Sequence, residues 1–475
     1  LSPDPTTTAG APAPVDLLIL GADLVTLDAE DTVIKDGALA VDAGRIVWRG
    51  PAAEAKARYA ARDTVDASGQ IAMPGMIDAH FHTAQQLLRG KIAELGRFTT
   101  PKIPIWKNYY IPFEGMLEPE DVHLSGLVAY TNMIKVGTTC FAEAGGPHPD
   151  EMARAADAVG IRGYVALSTV DQNDGIGAVV PPSMLMTTKE AFDRNFALVK
   201  RWENHSRVNA WLALRQIIVC SPELITGMAD AARDLGVKIH THLCEGAYEI
   251  DYALEKFGKR PTEYLEDLGV LGSHLHCAHS VLLSPDEVDL YQKHRLSACH
   301  CAFNNYTIGH PRLVEMWRRG IDIGLGTDGA ASWGTLDIFQ VAHHARVGQQ
   351  AVAGTPWHMR TAISSEELLK IATHGGARAL GSGADLGHLS VGAKADIILA
   401  DVADMDQQPI ADPLFVAASL VLGRDIKTTI VDGRVVMKNR ELLTVDEEAI
   451  KATLKQRLPE IMARFDAKVG VGRTR

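Results

Sequence analysis

Residues 78 to 83 read DAHFHT, placing His80 and His82 two positions apart. On a β-strand alternate side chains share a face, so both imidazoles point the same way and can grip one ion. Groups of matching chemistry recur far along the chain: His242 and Glu245 in HTHLCE, His276 in HCAHS, and Asp328 in GTDGAAS. Three imidazoles, or two with carboxylates, make the donor set of a zinc-type hydrolytic site with a position open to water. In such a site the cation lowers the pKa of water from about 16 to about 7, making hydroxide available under neutral conditions.

These groups are useful only if separate elements bring them together. Eight strand-like stretches punctuate the middle of the chain: GMIDAHFH, GTTCFAE, RGYVALSTV, VNAWLALRQIIV, GVKIHTHL, SHLHCAH, RLSACHC and GIDIGLGTD. Helix signals alternate with them. Ser221, Pro222 and Gly236 bracket a helix with Leu224, Met228, Ala231 and Leu235 on one face. Ser284 with Glu287, and Ser364 with Glu367, are capping boxes. Repeated strand–helix units predict an α/β fold, a TIM-type barrel of eight β/α units, whose chemistry sits at the C-terminal strand ends. His80, His82, His242, Glu245, His276 and Asp328 all fall at or near those ends. His240 shares the parity of His242 but lies about 7 Å deeper by strand rise, which marks a hydrogen-bonded core histidine.

Short β-rich runs ending in Gly or Asp-Gly turns occupy residues 17–73 and return at 391–440. The two ends are expected to form one β-sandwich around a barrel of residues 74–390. Residues 441–475 are expected to be a C-terminal helix and tail. The Pro/Ala/Thr-rich residues 1–16 read as disordered, and the initial Leu leaves room for a removed export signal.

Composition narrows the class. The net charge is −12 and no basic run occurs, which disfavours nucleic acid and anionic membranes as partners. No apolar run of about 18 residues is present, as a membrane span would need. The six cysteines lack C-x-x-C pairs or disulfide-like density, so free thiols and a cytoplasmic location are expected. A small-molecule substrate fits best.

Taken together, MPGMIDAHFH, HTHLCE, HCAHS, GLGTDGAAS and GHLSVGAKADIIL resemble the metal-dependent amidohydrolase superfamily, in its cytosine deaminase, S-adenosylhomocysteine deaminase and triazine hydrolase branch. The likeness runs from about residue 17 to 438, with the motifs in family order. It implies one divalent metal, zinc with iron or cobalt as alternatives, held by His80, His82, His242 and Asp328. It also implies Glu245 as the proton shuttle and His276, chosen over His274 and His279 by its place before Cys277, as the polarising group. Many relatives bridge two metals with a strand-four lysine. This chain has none there, and Lys238 lies about 13 Å below His242 by strand rise, so one metal is expected.

The sequence departs from the family where substrate would bind. Arg215 stands where adenosine-type deaminases carry a histidine, and its fork of donors suits an electron-rich group or a wall salt bridge. Trp333 follows GTDGAAS where the family has Asn, offering an apolar wall. Glu114 and Ser332 match sugar-contacting positions, and Gln85 and Trp106 complete the expected substrate contacts. TTPKIPIWKNYYIPF, with Trp106, Tyr109, Tyr110 and Phe113, is expected to be an aromatic lid or a subunit interface of a homo-oligomer. The implied reaction is hydrolytic deamination of an amino-substituted N-heterocycle. The alternative is cleavage of an amide, urea, carbamate or ring halide, and a retired, non-catalytic site is disfavoured by the intact polar set.

Overall fold

The computed structural model describes residues 12–91, 105–173 and 180–469. Nine short parallel strands carry the candidate site. One sheet orders β6 (Met76–Phe81), β7 (Thr138–Glu143), β8 (Arg162–Val165) and β9 (Val208–Ala210). The other orders β10 (Leu212–Leu214), β11 (Ile239–Leu243), β12 (Leu275–His279), β13 (Ser297–His300) and β14 (Ile323–Leu325). Every residue of β6, β7, β11, β12 and β13 is buried, as expected for parallel strands covered on both faces.

The expected fourth strand is split at Trp211. Its N–H donates to Val165 O at 2.9 Å, whereas Leu212 N–H donates to Lys238 O at 3.1 Å. The backbone thus passes from β8's edge to β11's within one residue. At the opposite margins, Asp328 N–H donates to His80 O at 3.0 Å. The approach there requires glycine: a Cβ on Gly326 would lie 2.9 Å from His80 N, and one on Gly324 2.7 Å from Ala79 Cβ.

Both chain ends join a nine-stranded mixed sheet made of β1 (Ala13–Val25), β2 (Val33–Asp42), β3 (Arg45–Pro51), β4 (Tyr59–Asp66), β5 (Gln70–Pro74), β15 (Ile397–Asp401), β16 (Ile426–Val431), β17 (Arg434–Lys438) and β18 (Glu441–Leu442). The antiparallel β5–β15 pairing, from Ile397 opposite Pro74 to Asp401 opposite Gln70, stitches the ends together directly before β6. Ile19, Leu39 and Ile46 share a buried cluster with Ile397, Leu399 and Ile430. The expectation of disorder through residue 16 is corrected, because β1 begins at Ala13 and pairs in parallel with β4 from Tyr59 onward. Residues 1–11 and 470–475 lie outside the described residues.

Arg162 on β8 donates to Asp396 through Nε at 2.7 Å and Nη2 at 3.0 Å, and to Asp432 at 2.9 Å, locking the parallel strands to the mixed sheet. The capping boxes form as expected: Ser284 and Glu287 exchange bonds of 2.9 and 3.1 Å, as do Ser364 and Glu367 at 3.0 and 3.1 Å. The helix Pro222–Leu235 starts at Ser221, but its buried face is Leu224, Ile225, Met228, Ala229 and Ala232. Leu235, expected on that face, is 46% exposed. The C-terminal helix Glu447–Val469 packs Phe465 edge-on against Phe113, and its Arg457 and Arg464 both donate to the buried Asp121. Among the described residues, no helix is long and apolar enough to cross a membrane.

Candidate metal centre

β6 carries His80 inward on its last turn of pleat, and His82 follows just past the strand end. His80 Nε2 lies 3.2 Å and His82 Nε2 3.5 Å from Asp328 Oδ1. From β11, His242 Nε2 comes within 3.2 Å of His82 Nε2. Two sets, His80 with His82 and Asp328, and His80 with His242 and His279, each bring one donor atom per residue within 4.8 Å of the others. All five side chains are buried.

The surroundings orient these groups. His242 Nδ1–H donates to Arg215 O at 2.8 Å, and because a carbonyl only accepts, Nε2 is left with its lone pair facing the cluster. Asp328 Oδ2 accepts from Asn304 Nδ2 at 3.0 Å and Ser332 Oγ at 2.7 Å, leaving Oδ1 for the histidines. His80 Nδ1 meets His240 Nε2 at 2.8 Å. Burial first, and the neighbouring imidazoles second, hold His80 and His242 well below the ordinary histidine pKa. Burial, aided by Arg215, takes His82 down to about 3. The result is a buried group of neutral nitrogens whose lone pairs converge beside a carboxylate, and this donor set fits a divalent cation.

Glu245 stands at the edge of the cluster, with Oε1 4.0 Å from His279 Nε2. Its Oε2 accepts from Tyr248 Oη at 2.7 Å and Gln216 Nε2 at 3.3 Å. Burial lowers the pKa of His279, but the facing Glu245, together with Cys301 and Asp328, carries it well above the ordinary value. A cavity of about 30 Å³ is bounded by Glu245, His279 and Gln216 and by His82, His242, Asp328, Asn304, Arg215, Ile105, Trp106 and Tyr110. The pairing of an acid–base carboxylate with an imidazole, next to a metal-ligand set, is the equipment of hydrolysis.

The expectation for His276 is corrected. It sits level with His240, one layer below the cavity, with Nε2–H donating to Ala79 O at 2.8 Å and Nδ1 3.0 Å from Ser297 Oγ. His279 occupies the cavity instead. Its place in the motif did not reveal this: His279 pairs opposite Leu243, on the outward parity, and its left-handed backbone, φ 67°, turns the ring back inside. Asp328 makes the same departure at φ 59°.

The expected substrate contacts divide. Arg215 and Trp106 line the cavity. Arg215 is also the wall salt bridge, donating to Glu114 Oε2 at 2.6 Å and Oε1 at 3.3 Å, while Gln85 Nε2 donates to the same Oε1 at 2.7 Å. Glu114 is therefore consumed by its neighbours. Ser332 holds the aspartate instead of lining the cavity, and Trp333 is 58% exposed, stacked on Phe303. Of the expected lid, residues 99–104 lie outside the described residues. Trp106–Tyr110 form one turn of π-helix, with Trp106 Nε1–H donating to Tyr248 Oη at 2.9 Å. Gln216, Tyr248 and Asn304 were not singled out from the sequence; Gln216 and Tyr248 flank Arg215 and Glu245 closely enough that proximity was the available signal. Lys238 Nζ donates to Ser273 O at 3.0 Å and Ser297 Oγ at 3.1 Å, at the far end of β11. Its position supports the expectation that it bridges no second metal.

Comparison with known proteins adds independent findings. Residues 71–436 match the model of the Amidohydrolase family. The 5-methylthioadenosine/S-adenosylhomocysteine deaminase of Acetivibrio thermocellus is 30% identical over 447 residues, covering 93% of this chain and 98% of that protein. The 5'-deoxyadenosine deaminase of Methanosarcina acetivorans is 31% identical over 462 residues, covering 95% and 100%. A solved adenosine deaminase from Xanthomonas campestris with bound zinc superposes with a TM-score of 0.86 at 27% identity, over 95% of this chain and 100% of that one. The parallel strands and their helices are thus of the TIM-barrel type.

Proposed function

This chain belongs to the amidohydrolase family and is a metal-dependent hydrolase of carbon–nitrogen bonds, and on that premise we propose that it removes an amino group hydrolytically from an N-heterocycle. The observation that carries this reading is Glu245 poised beside His279 at the rim of the metal-ligand cluster. The names of the relatives at 30 and 31% identity, deaminases of adenosine-type compounds, support it.

His80, His82, His242 and Asp328 would hold the divalent cation, zinc, which would supply the Lewis acidity that brings the pKa of water toward neutrality. Glu245 takes the first proton of the attacking water and delivers it to a ring nitrogen, as general base and general acid in turn. Asp328, its second oxygen fixed by Asn304 and Ser332, takes the remaining proton of the added hydroxyl as the carbonyl forms and passes it to the departing amine. His279, in the place expected for His276, donates to the oxygen as the ring carbon becomes tetrahedral. Arg215 and Gln216 orient the heterocycle, while Trp106 and Tyr110 keep bulk water out. In architecture, the strand hand-over at Trp211 and the Asp328–His80 backbone bond support a closed barrel of residues 74–390. The shared cluster of Ile19 and Ile397 supports a sandwich of residues 17–73 and 391–440.

The test is ammonia release by the zinc-loaded protein from a panel of adenosine, 5'-deoxyadenosine, guanine, cytosine, an aminopterin and an aminotriazine, beside phenylureas and carbamates. Ammonia from at least one amino-heterocycle is expected. Silence there, with amine released from ureas or carbamates, would overturn the deaminase reading in favour of amide-type hydrolysis.

A further inference from the structure

The proton position on Tyr248 follows from its neighbours. A phenol has one O–H to donate and two lone pairs to accept with. Trp106 Nε1, a donor only, reaches Tyr248 Oη at 2.9 Å, and Gln216 Nε2 reaches it at 3.1 Å. Both accepting directions are filled. The phenolic proton must therefore go to the remaining partner, Glu245 Oε2, at 2.7 Å. Gln216 is fixed in the same way: its Nε2 is ringed by Tyr248 Oη, Glu245 Oε2 at 3.3 Å and Glu249 Oε2 at 3.5 Å, all of which accept. Glu249 also anchors the other end of the shuttle, accepting from the backbone N–H of Glu245 at 2.9 Å. Burial, reinforced by Glu245 and Glu249, pushes the Tyr248 phenol well above its ordinary range, so it remains a donor.

Glu245 is thereby made asymmetric. Oε2 receives two donors, and Oε1 faces His279 and the cavity. An oxygen already accepting strong hydrogen bonds is the poorer base, so the proton is handled at Oε1.

One of the two donors to Tyr248 comes from a segment that cannot stay where it is. The cavity holds about 30 Å³, whereas clefts for small molecules run to about 300–1,000 Å³. Most of its other walls are strand ends or residues just beyond them, packed into the core. Ile105, Trp106 and Tyr110 come instead from the short π-helical turn Trp106–Tyr110 and the residue before it, which lie over the cavity. Entry of a heterocycle therefore withdraws this stretch, breaking the Trp106–Tyr248 bond and freeing a lone pair on Tyr248.

We propose that Tyr248 and Gln216 are positioning residues that dedicate Oε1 of Glu245 to proton transfer, and that the Trp106 N–H makes this setting conditional on closure over substrate. The inference rests on the deaminase reading of the site. It links an opening motion to the acid–base group through three side chains, so that Glu245 is set only when water is excluded.

The experiment uses zinc-loaded protein and whichever compound of the panel above releases ammonia fastest. Tyr248→Phe is expected to lower kcat about 10-fold or more with KM held within about 3-fold and zinc content unchanged; Trp106→Phe, which keeps an aromatic ring there and deletes the N–H, is expected to lower kcat less. Because both act through one hydroxyl, the double variant should be no slower than Tyr248→Phe alone. A Tyr248→Phe enzyme with kcat within about 2-fold of the parent, or losses that multiply in the double variant, would overturn the relay while leaving the deaminase reading intact. Should Tyr248→Phe fail to hold zinc, Gln216→Met paired with Trp106→Phe makes the same comparison: losses short of multiplicative support the relay and multiplicative losses overturn it. No ammonia from any compound would overturn the deaminase reading and the relay with it.

Discussion

His242 and His240 stand two residues apart on one strand, face the same interior, and live in opposite circumstances. At the level of His242, four imidazoles and Asp328 turn nitrogens and a carboxylate oxygen toward one another. One layer down, His276 spends both ring nitrogens on Ala79 O and Ser297 Oγ, and Lys238 spends its ammonium on Ser273 O and Ser297 Oγ. His240 links the layers through His80 Nδ1. Both layers bury polar groups, which is costly unless they are paired. The lower layer pairs them within the protein, whereas the upper layer leaves donor atoms converging, and there a cation belongs.

That contrast breaks most severely at Asp328. Asp328→Asn keeps the shape but removes the charge, and kcat/KM for ammonia release should fall about 1,000-fold or more, roughly 4 kcal/mol of transition-state stabilisation. Zinc per protomer should fall with it. An intact rate would erase the distinction between the layers. His240→Leu sharpens the contrast from the linking position: zinc affinity, measured by competition with a chelator, should weaken about 10- to 100-fold, the usual cost of losing a histidine's outer partner. His276→Leu should behave as a lower-layer change. It strands Ala79 O and takes one partner from Ser297 Oγ, so urea unfolding of the zinc-loaded protein should report about 1–3 kcal/mol lost, with zinc retained and kcat within about 10-fold.

The smallest effect is a pH slope. Burial pushes Lys238 down to about 8 from the ordinary 10.5. Between those values the unfolded chain binds a proton that the folded chain does not, so stability should rise with pH across that window. Lys238→Met should flatten the rise; a rise that survives the substitution assigns it elsewhere.

The upper layer was largely legible in the sequence, for a physical reason. His80, His82 and His242 obey strand parity, and strands of buried residues announce themselves by apolar runs. His279 did not, because the chain leaves β12 through a left-handed residue and parity stops applying there. The choice of His276 rested on its place before Cys277, and a motif position says nothing of which way a ring turns. Arg215 was recognised as a departure, but its grip on Glu114 joins residues 101 positions apart, and no local pattern encodes that. Trp333 looked like a wall and faces solvent, since a four-residue helix, Ala330–Trp333, rotates it away from the cavity. The mixed sheet was legible as two matching β-rich ends, whereas the start of β1 within a Pro- and Ala-rich run was set by pairing with β4, which composition does not reveal.

The central claim is that one cation, held by His80, His82, His242 and Asp328, makes the catalyst. Its most direct test is titration of chelator-stripped protein with zinc while ammonia release is followed. Activity should be absent at the start, climb linearly and level off at one equivalent per chain. Full activity without metal, or a plateau reached only at two equivalents, would contradict the account.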